Sequence, residues 1–145
     1  MFFEDFEVGR EFVSRERVVT PSDIDLFATW TWAANPLFLS DGFAKDRGFP
    51  QRIAPGALVI AFAIGLLYQT GAFDNIVALA SIDKMSFRSP THPGDVIKAV
   101  ARVVEKRESR SPDRGVVKLD VTCQNVTRGT PAFTAEMLFV VFRKT

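Results

Sequence analysis

The stretch IAPGALVIAFAIGLLY, Ile53 to Tyr68, is sixteen residues with no charge and no side-chain hydrogen-bonding group before the closing tyrosine. It predicts one buried helix. At about 1.5 Å per residue the run spans roughly 24 Å, less than the ~20 apolar residues a bilayer needs, and no basic flanks anchor it. A soluble core is the expected home. A surface helix keeps a polar stripe, whereas this run is apolar on every side, so a curved sheet is expected to wrap it. Pro55 suits a first turn, where a missing N–H is harmless, and Gly71 after Gln69-Thr70 suits a C-terminal stop.

Upstream of this run, Gly9 reads as a turn, and Phe12 to Val19 alternates roughly like a short edge strand. Thr20-Pro21-Ser22-Asp23 then combines a capping threonine, a proline at the first helical position and an acid three residues after the cap. A helix from Pro21 to about Trp32 follows. Asn35-Pro36 breaks it, because the residue before a proline is pushed out of the helical region. A short second helix over Pro36 to Ala44 and a loop over Lys45 to Arg52 complete this half. Downstream of Gly71 the period changes to two. Strands are expected over Ile76–Arg88, Val96–Lys106, Val116–Val126 and Ala132–Arg143, with turns at Ser89–Asp95, Ser109–Gly115 and Arg128–Pro131. Ile97, Ala99, Ala101 and Val103 share one face of the second of these, and Val117, Leu119, Val121 and Cys123 one face of the third.

Helices grouped early and strands grouped late indicate an α+β domain with a mostly antiparallel sheet. One helix apolar all round plus a meander long enough to curl is the makeup of a hot-dog fold. The 145 residues are read as a single domain, 1–145, without repeat or linker. Cys123 is the only cysteine, which rules out an internal disulfide framework. Eighteen basic against seventeen acidic residues give no nucleic-acid footprint. The opening MFFEDFEVGRE turns acidic after three residues, unlike a signal peptide, so a cytoplasmic protein with no membrane span is expected. Fourteen phenylalanines suggest that some apolar surface is covered by a partner chain.

Three stretches resemble the MaoC-like dehydratase family, whose members include R-specific enoyl-CoA hydratases of the hot-dog fold. Asp23-Ile24-Asp25-Leu26-Phe27-Ala28 followed by Asn35-Pro36-Leu37 is similar to "D-x-x-x-F-A … G-D-x-N-P-L-H". Phe43-Ala44, Phe49 and Ile53-Ala54-Pro55-Gly56 resemble "F-A … F … I-A-H-G". Phe87-Arg88-Ser89-Pro90 through Gly94-Asp95 resembles "F-x-x-P-V-x-x-G-D". The resemblance implies an acyl thioester, on CoA or on a carrier protein, as substrate or ligand, with no further cofactor and no metal. It also implies a homodimer, or a heteromer with another hot-dog subunit, since hot-dog protomers join sheets edge to edge.

The catalytic pair of that pattern does not carry over. In the family its Asp and His hold and deprotonate the water added across the double bond. Here their positions are Ala33 and Phe38, neither of which can act as acid, base or ligand. The acid often found two residues later falls on Ser40, the second His on Pro55, and a serine of the central helix on Ile64. Gly56 survives; the resemblance implies that its N–H polarises the thioester carbonyl, while its plainer role is to let the helix start beside a neighbouring loop. Asn35 caps a turn or touches substrate. Asp41 and Asp83 are the nearest carboxylates to the vacated positions, candidate replacement bases or else a helix-cap acid and a rim charge.

Other residues have plain alternatives. His92 reads as a solvated turn residue sooner than a proton carrier. Trp30 and Trp32 are expected to fill a pocket or an interface, and Arg88, Arg102 and Lys98 to be solvated or to meet CoA phosphates. Cys123 reads as a small hydrophobe. Two functions follow: a degenerate, thioester-binding subunit that depends on a dyad-bearing partner, or an active hydratase, dehydratase or thioesterase using non-standard residues.

Overall fold

The computed structural model describes residues 1–145. A short 3-10 turn, Phe3–Asp5, leads to strands β1 (Glu11–Val13) and β2 (Arg17–Val18), then helices α1 (Pro21–Thr31), α2 (Pro36–Leu39), α3 (Asp41–Asp46) and α4 (Gly56–Tyr68). Four long strands follow: β3 (Ile76–Phe87), β4 (Val96–Glu108), β5 (Arg114–Asn125) and β6 (Thr130–Phe142). They form one antiparallel sheet in the order β1-β4-β5-β6-β3, with β2 sharing the β4 edge beside β1. This is the α+β hot-dog arrangement, a curved sheet against one central helix.

The alternation read from the sequence holds in three dimensions. Ile97, Ala99, Ala101 and Val103 of β4 and Val117, Leu119, Val121 and Cys123 of β5 all face the core. The two alanines leave room for α4, which packs on β4 and β5. Leu58, Val59, Leu66 and Leu67 supply its buried face. Four such side chains contribute on the order of 8 kcal/mol of gross apolar burial. Beyond the C-terminal end of α4, Phe6, Phe12, Phe73 and Phe139 interlock at ring-centroid distances of 5.3 to 5.8 Å. Most of the phenylalanine surface is therefore covered within the protomer, and Phe87 and Phe142 are the exposed ones.

The local signals at α1 are met in full. Thr20 Oγ1 accepts the Asp23 N–H at 3.1 Å and Asp23 accepts the Thr20 N–H at 2.9 Å. The expected second helix splits at Ser40, whose extended backbone ends α2 and whose hydroxyl caps α3 by accepting the Phe43 N–H.

Two expectations for the central helix need correction. It begins at Gly56, with Pro55 as its N-cap, and Ile53–Pro55 lie in the loop before it. Nor is it wrapped on all sides: Ala57, Ala61 and Gly65, spaced four apart, lie on an open face with Tyr68. Small residues without charge made that face look like core. No helix is long and apolar enough to cross a membrane.

Candidate functional site

The segment leading into α4 is held between two neighbours. Ile53 N–H donates to Leu37 O at 3.2 Å, and Ala54 N–H donates to Thr91 O at 2.7 Å. His92 Nδ1 donates to Arg52 O at 3.0 Å. These bonds bring the start of α4, α2 and the Ser89–Asp95 turn to one place. Pro55 offers no capping side chain, and the first turn is closed by Leu58 and Val59 donating to Pro55 O at 3.1 and 3.3 Å. The first N–H groups of a helix have no carbonyl a turn earlier, so the positive end of α4 is open to an incoming acceptor.

A cleft of about 480 Å³ lies over that helix start. Phe49, Ile53, Val59 and Phe87 make its apolar walls, and Arg88, Ser89 and Thr91 its polar ones. Gly56 permits a close approach: a Cβ there would sit 2.7 Å from Phe87 Cζ and the ring would have to shift. The Phe87 ring, 54% exposed, is the loosest part of the wall. Arg88 is the only ionisable side chain lining the cleft, and its Nε and guanidinium lie 3.4 and 3.3 Å from Thr134 Oγ1. Such a site can polarise a carbonyl; its own walls hold no group that accepts a proton.

The turn forming the polar wall is anchored by Asp95, which is buried. Its Oδ2 accepts from His92 N–H at 2.9 Å, Asn125 Nδ2 at 2.8 Å and Arg128 Nε at 2.8 Å. Burial raises this carboxyl, but the bonds from Arg128, His92 and Asn125 outweigh it and hold it below the ordinary value. His92 is itself buried, correcting the expectation of a solvated turn residue. Its backbone and ring are both used to fix the turn.

Of the residues singled out from the sequence, Gly56 and Arg88 line this cleft and the others are scattered around it. Phe38 packs against the core, Ala33 is half-buried, and Asn35 caps α2 by accepting Leu37 N–H at 3.0 Å. Asp41 opens α3 and accepts the Arg52 N–H at 2.9 Å. Asp83 is exposed on β3, 2.9 Å from Ser81 Oγ. Ile64 is half-buried on α4. Lys98 and Arg102 belong to β4; Lys98 borders a polar depression with Thr122 and Gln124, and Arg102 is exposed. Cys123 is buried, its thiol pushed up to about 12 by burial. No three His, Cys, Asp or Glu side chains gather as a metal would require.

Trp30 and Trp32 are 89% and 90% exposed. Trp30 borders a groove of about 510 Å³ between α1 and α4, with Leu26, Phe27, Leu58 and Phe62. Trp32 ends α1 in the left-handed region at φ 63° and lies on the surface.

Sequence reading missed Arg52. Its guanidinium meets Asp25 at 2.7 Å and the carbonyls of Phe38 and Pro21 at 3.5 and 3.4 Å, clasping α1 and α2 to the lead-in of α4. A basic residue directly before the apolar run was the available signal. Phe87 over Gly56 and the buried Thr91 were missed as well.

The sequence profile of the MaoC like domain matches residues 5–125. The chain belongs to that family. It is 31% identical over 124 residues to 3-hydroxybutyryl-CoA dehydratase of Methylorubrum extorquens, covering 85% of this chain and 74% of that one. With (R)-specific enoyl-CoA hydratase of Rhodospirillum rubrum it shares 27% over 122 residues, covering 84% and 80%. Among solved structures, the monoamine oxidase regulatory protein of Archaeoglobus fulgius superposes with a TM-score of 0.91 at 31% identity, covering 100% and 96%. The same fold recurs, at 20% identity and a TM-score of 0.74, in the HadBC 3R-hydroxyacyl-ACP dehydratase complex of Mycobacterium tuberculosis, covering 92% and 98%. Against the MaoC-like pattern "F-x-x-P-V-x-x-G-D", this chain carries Thr91 at the valine position.

Proposed function

We propose that this MaoC-like chain binds an acyl thioester, on CoA or a carrier protein, as a degenerate subunit of the enoyl-CoA hydratase/dehydratase type. It is non-catalytic alone or dependent on a partner. The observation that carries this reading is Ala33 and Phe38 at the positions of the acid–base pair. Hydration needs one group to take a proton from water and one to deliver a proton to carbon, and neither side chain can do so. Arg88 does not substitute, because a guanidinium stays protonated. Asp41 already holds the Arg52 N–H, and Asp83 lies on the edge strand outside the cleft.

What remains is the binding half of the chemistry. The open N–H groups at Gly56 and Ala57 polarise the thioester carbonyl, and the apolar walls take the acyl chain. The acid and base then come from a second hot-dog subunit. β3 presents one edge unpaired over its twelve residues, with Val77, Ile82 and Phe87 exposed, and that edge takes either a second copy or a dyad-bearing relative. We place the assembly in the cytoplasm, where a lone unpaired cysteine is at home.

A second reading is favoured by the identity to a named dehydratase: an active hydratase, dehydratase or thioesterase that uses other residues. One assay separates the two. The purified chain is incubated with crotonyl-CoA and the enoyl absorbance is followed. Hydration well above a boiled control eliminates the idle-subunit reading. A chain that elutes as a well-behaved monomer counts against the shared sheet.

A further inference from the structure

Among buried side-chain nitrogen and oxygen atoms, Thr91 Oγ1 alone has no hydrogen-bond partner. Buried hydroxyls are nearly always paired, because leaving one unpaired forfeits its hydration without return. The orphan does not come from a loose loop. Thr91 O accepts the Ala54 N–H at 2.7 Å, His92 beside it is fixed at both backbone and ring, and Ser89 Oγ donates to Pro131 O at 2.7 Å. Thr91 is thus held on both sides in a place where valine would have the same shape and no unmet group.

The residue is 3% exposed and belongs to the wall of the cleft that also contains Gly56. Its carbonyl is bonded to the residue two before Gly56, so its place relative to the start of α4 is set by the backbone. The chain supplies no partner for Oγ1, and the cleft that Thr91 lines offers a route for one from outside. Oγ1 is covered in the unliganded chain, so an acceptor in the cleft reaches it together with the N–H groups of the helix start only once a neighbouring side chain moves. A thioester carbonyl oxygen has two lone pairs and can take a bond from each.

We infer that Thr91 is a substrate-contacting residue whose hydroxyl, together with the Gly56 N–H, donates to the carbonyl oxygen of the bound acyl thioester. This rests on the acyl-thioester reading above. Seating the ligand displaces the half-exposed Phe87 ring that stands over Gly56, and the covered hydroxyl has to be exposed in the same step. Two donors on one oxygen draw electron density from the conjugated double bond, which prepares its β-carbon for water delivered by another subunit.

The test compares two probes on the full chain by titration calorimetry: butyryl-CoA, which has the carbonyl, and S-butyl-CoA, a thioether without it. Thr91→Val is expected to bind butyryl-CoA about tenfold more weakly than the parent while S-butyl-CoA changes by less than about twofold. The unliganded variant is expected to melt no lower than the parent, since it has lost an unpaired group. Thr91→Ser keeps the hydroxyl and should bind butyryl-CoA like the parent; Thr91→Ala removes it in a side chain too small to misfit and should repeat the valine result. Equal butyryl-CoA affinity in parent and Thr91→Val overturns the inference. So does an equal loss of both probes, or a lower melting point with binding unchanged, which would assign the hydroxyl to an internal water. If the parent binds neither probe, the acyl-thioester reading itself fails and takes this inference with it.

Discussion

Replacing Asp95 by asparagine removes one charge from the turn that supports the cleft and leaves its shape in place. The carboxylate is 3% exposed, and its Oδ2 accepts from His92 N–H, Asn125 Nδ2 and Arg128 Nε at 2.9, 2.8 and 2.8 Å. Bonds to a charged acceptor are each about 0.5–1.5 kcal/mol stronger than neutral ones, and an asparagine turns a competing donor toward the same cluster. Arg128 is partly exposed and recovers some hydration, whereas Asn125 and the His92 N–H do not. The expected loss is about 2–3 kcal/mol at neutral pH, a large share of the 5–15 kcal/mol typical of a domain. The melting point should fall by roughly 10 °C.

The pH dependence supplies the sharper check. Burial alone would raise the Asp95 carboxyl, but the bonds from Arg128, His92 and Asn125 hold it below 3.8 in the folded state. A depressed folded value means that the stabilisation is complete above the unfolded value and is lost as pH falls through the folded one. The gap between parent and Asp95→Asn should be full at pH 7 and should close as the pH drops below about 4. Urea unfolding at pH 7 and pH 3 measures it. A gap under about 0.5 kcal/mol at pH 7, or the same gap at both pH values, refutes the reasoning.

Cys123 is buried with its thiol pushed up to about 12, so an aromatic disulfide reagent should leave it untouched in the native protein and react only as the chain unfolds. Gly56→Ala puts a methyl 2.7 Å from Phe87 Cζ, the far end of a half-exposed side chain. The ring can yield, so denaturation should show a stability change within about 1 kcal/mol while butyryl-CoA binding weakens. Ala33→Asp with Phe38→His should create or raise crotonyl-CoA hydration, at a stability cost of about 1–2 kcal/mol from the lost packing of Phe38. A folded double variant with no gain would mean that the cleft is closed to the substrate or has another use.

Under the proposed reading, a protomer that keeps the helix start and its cleft but not the acid and base orders a substrate, and ordering is separable from proton transfer when a site is shared between chains.

The sequence by itself determined the features that depend on neighbours along the chain. Alternation marked the inward faces of β4 and β5 because a pleated strand turns successive side chains to opposite sides. The Thr20–Asp23 box marked the start of α1 because both of its bonds close within one turn. That Ala33 and Phe38 stand where the family pattern has its acid–base pair was also legible, since it is a matter of residue identity. The tertiary structure alone decided what depends on distant partners. Ala57, Ala61 and Gly65 read as core because composition reports polarity and not which face of a helix is covered. His92, forty residues from Arg52, was read as solvated because nothing local announces the carbonyl that its ring meets. Thr91 looked like any turn threonine until the chain path sealed it beside Gly56, for whether a hydroxyl is satisfied depends on what the fold brings within reach of it.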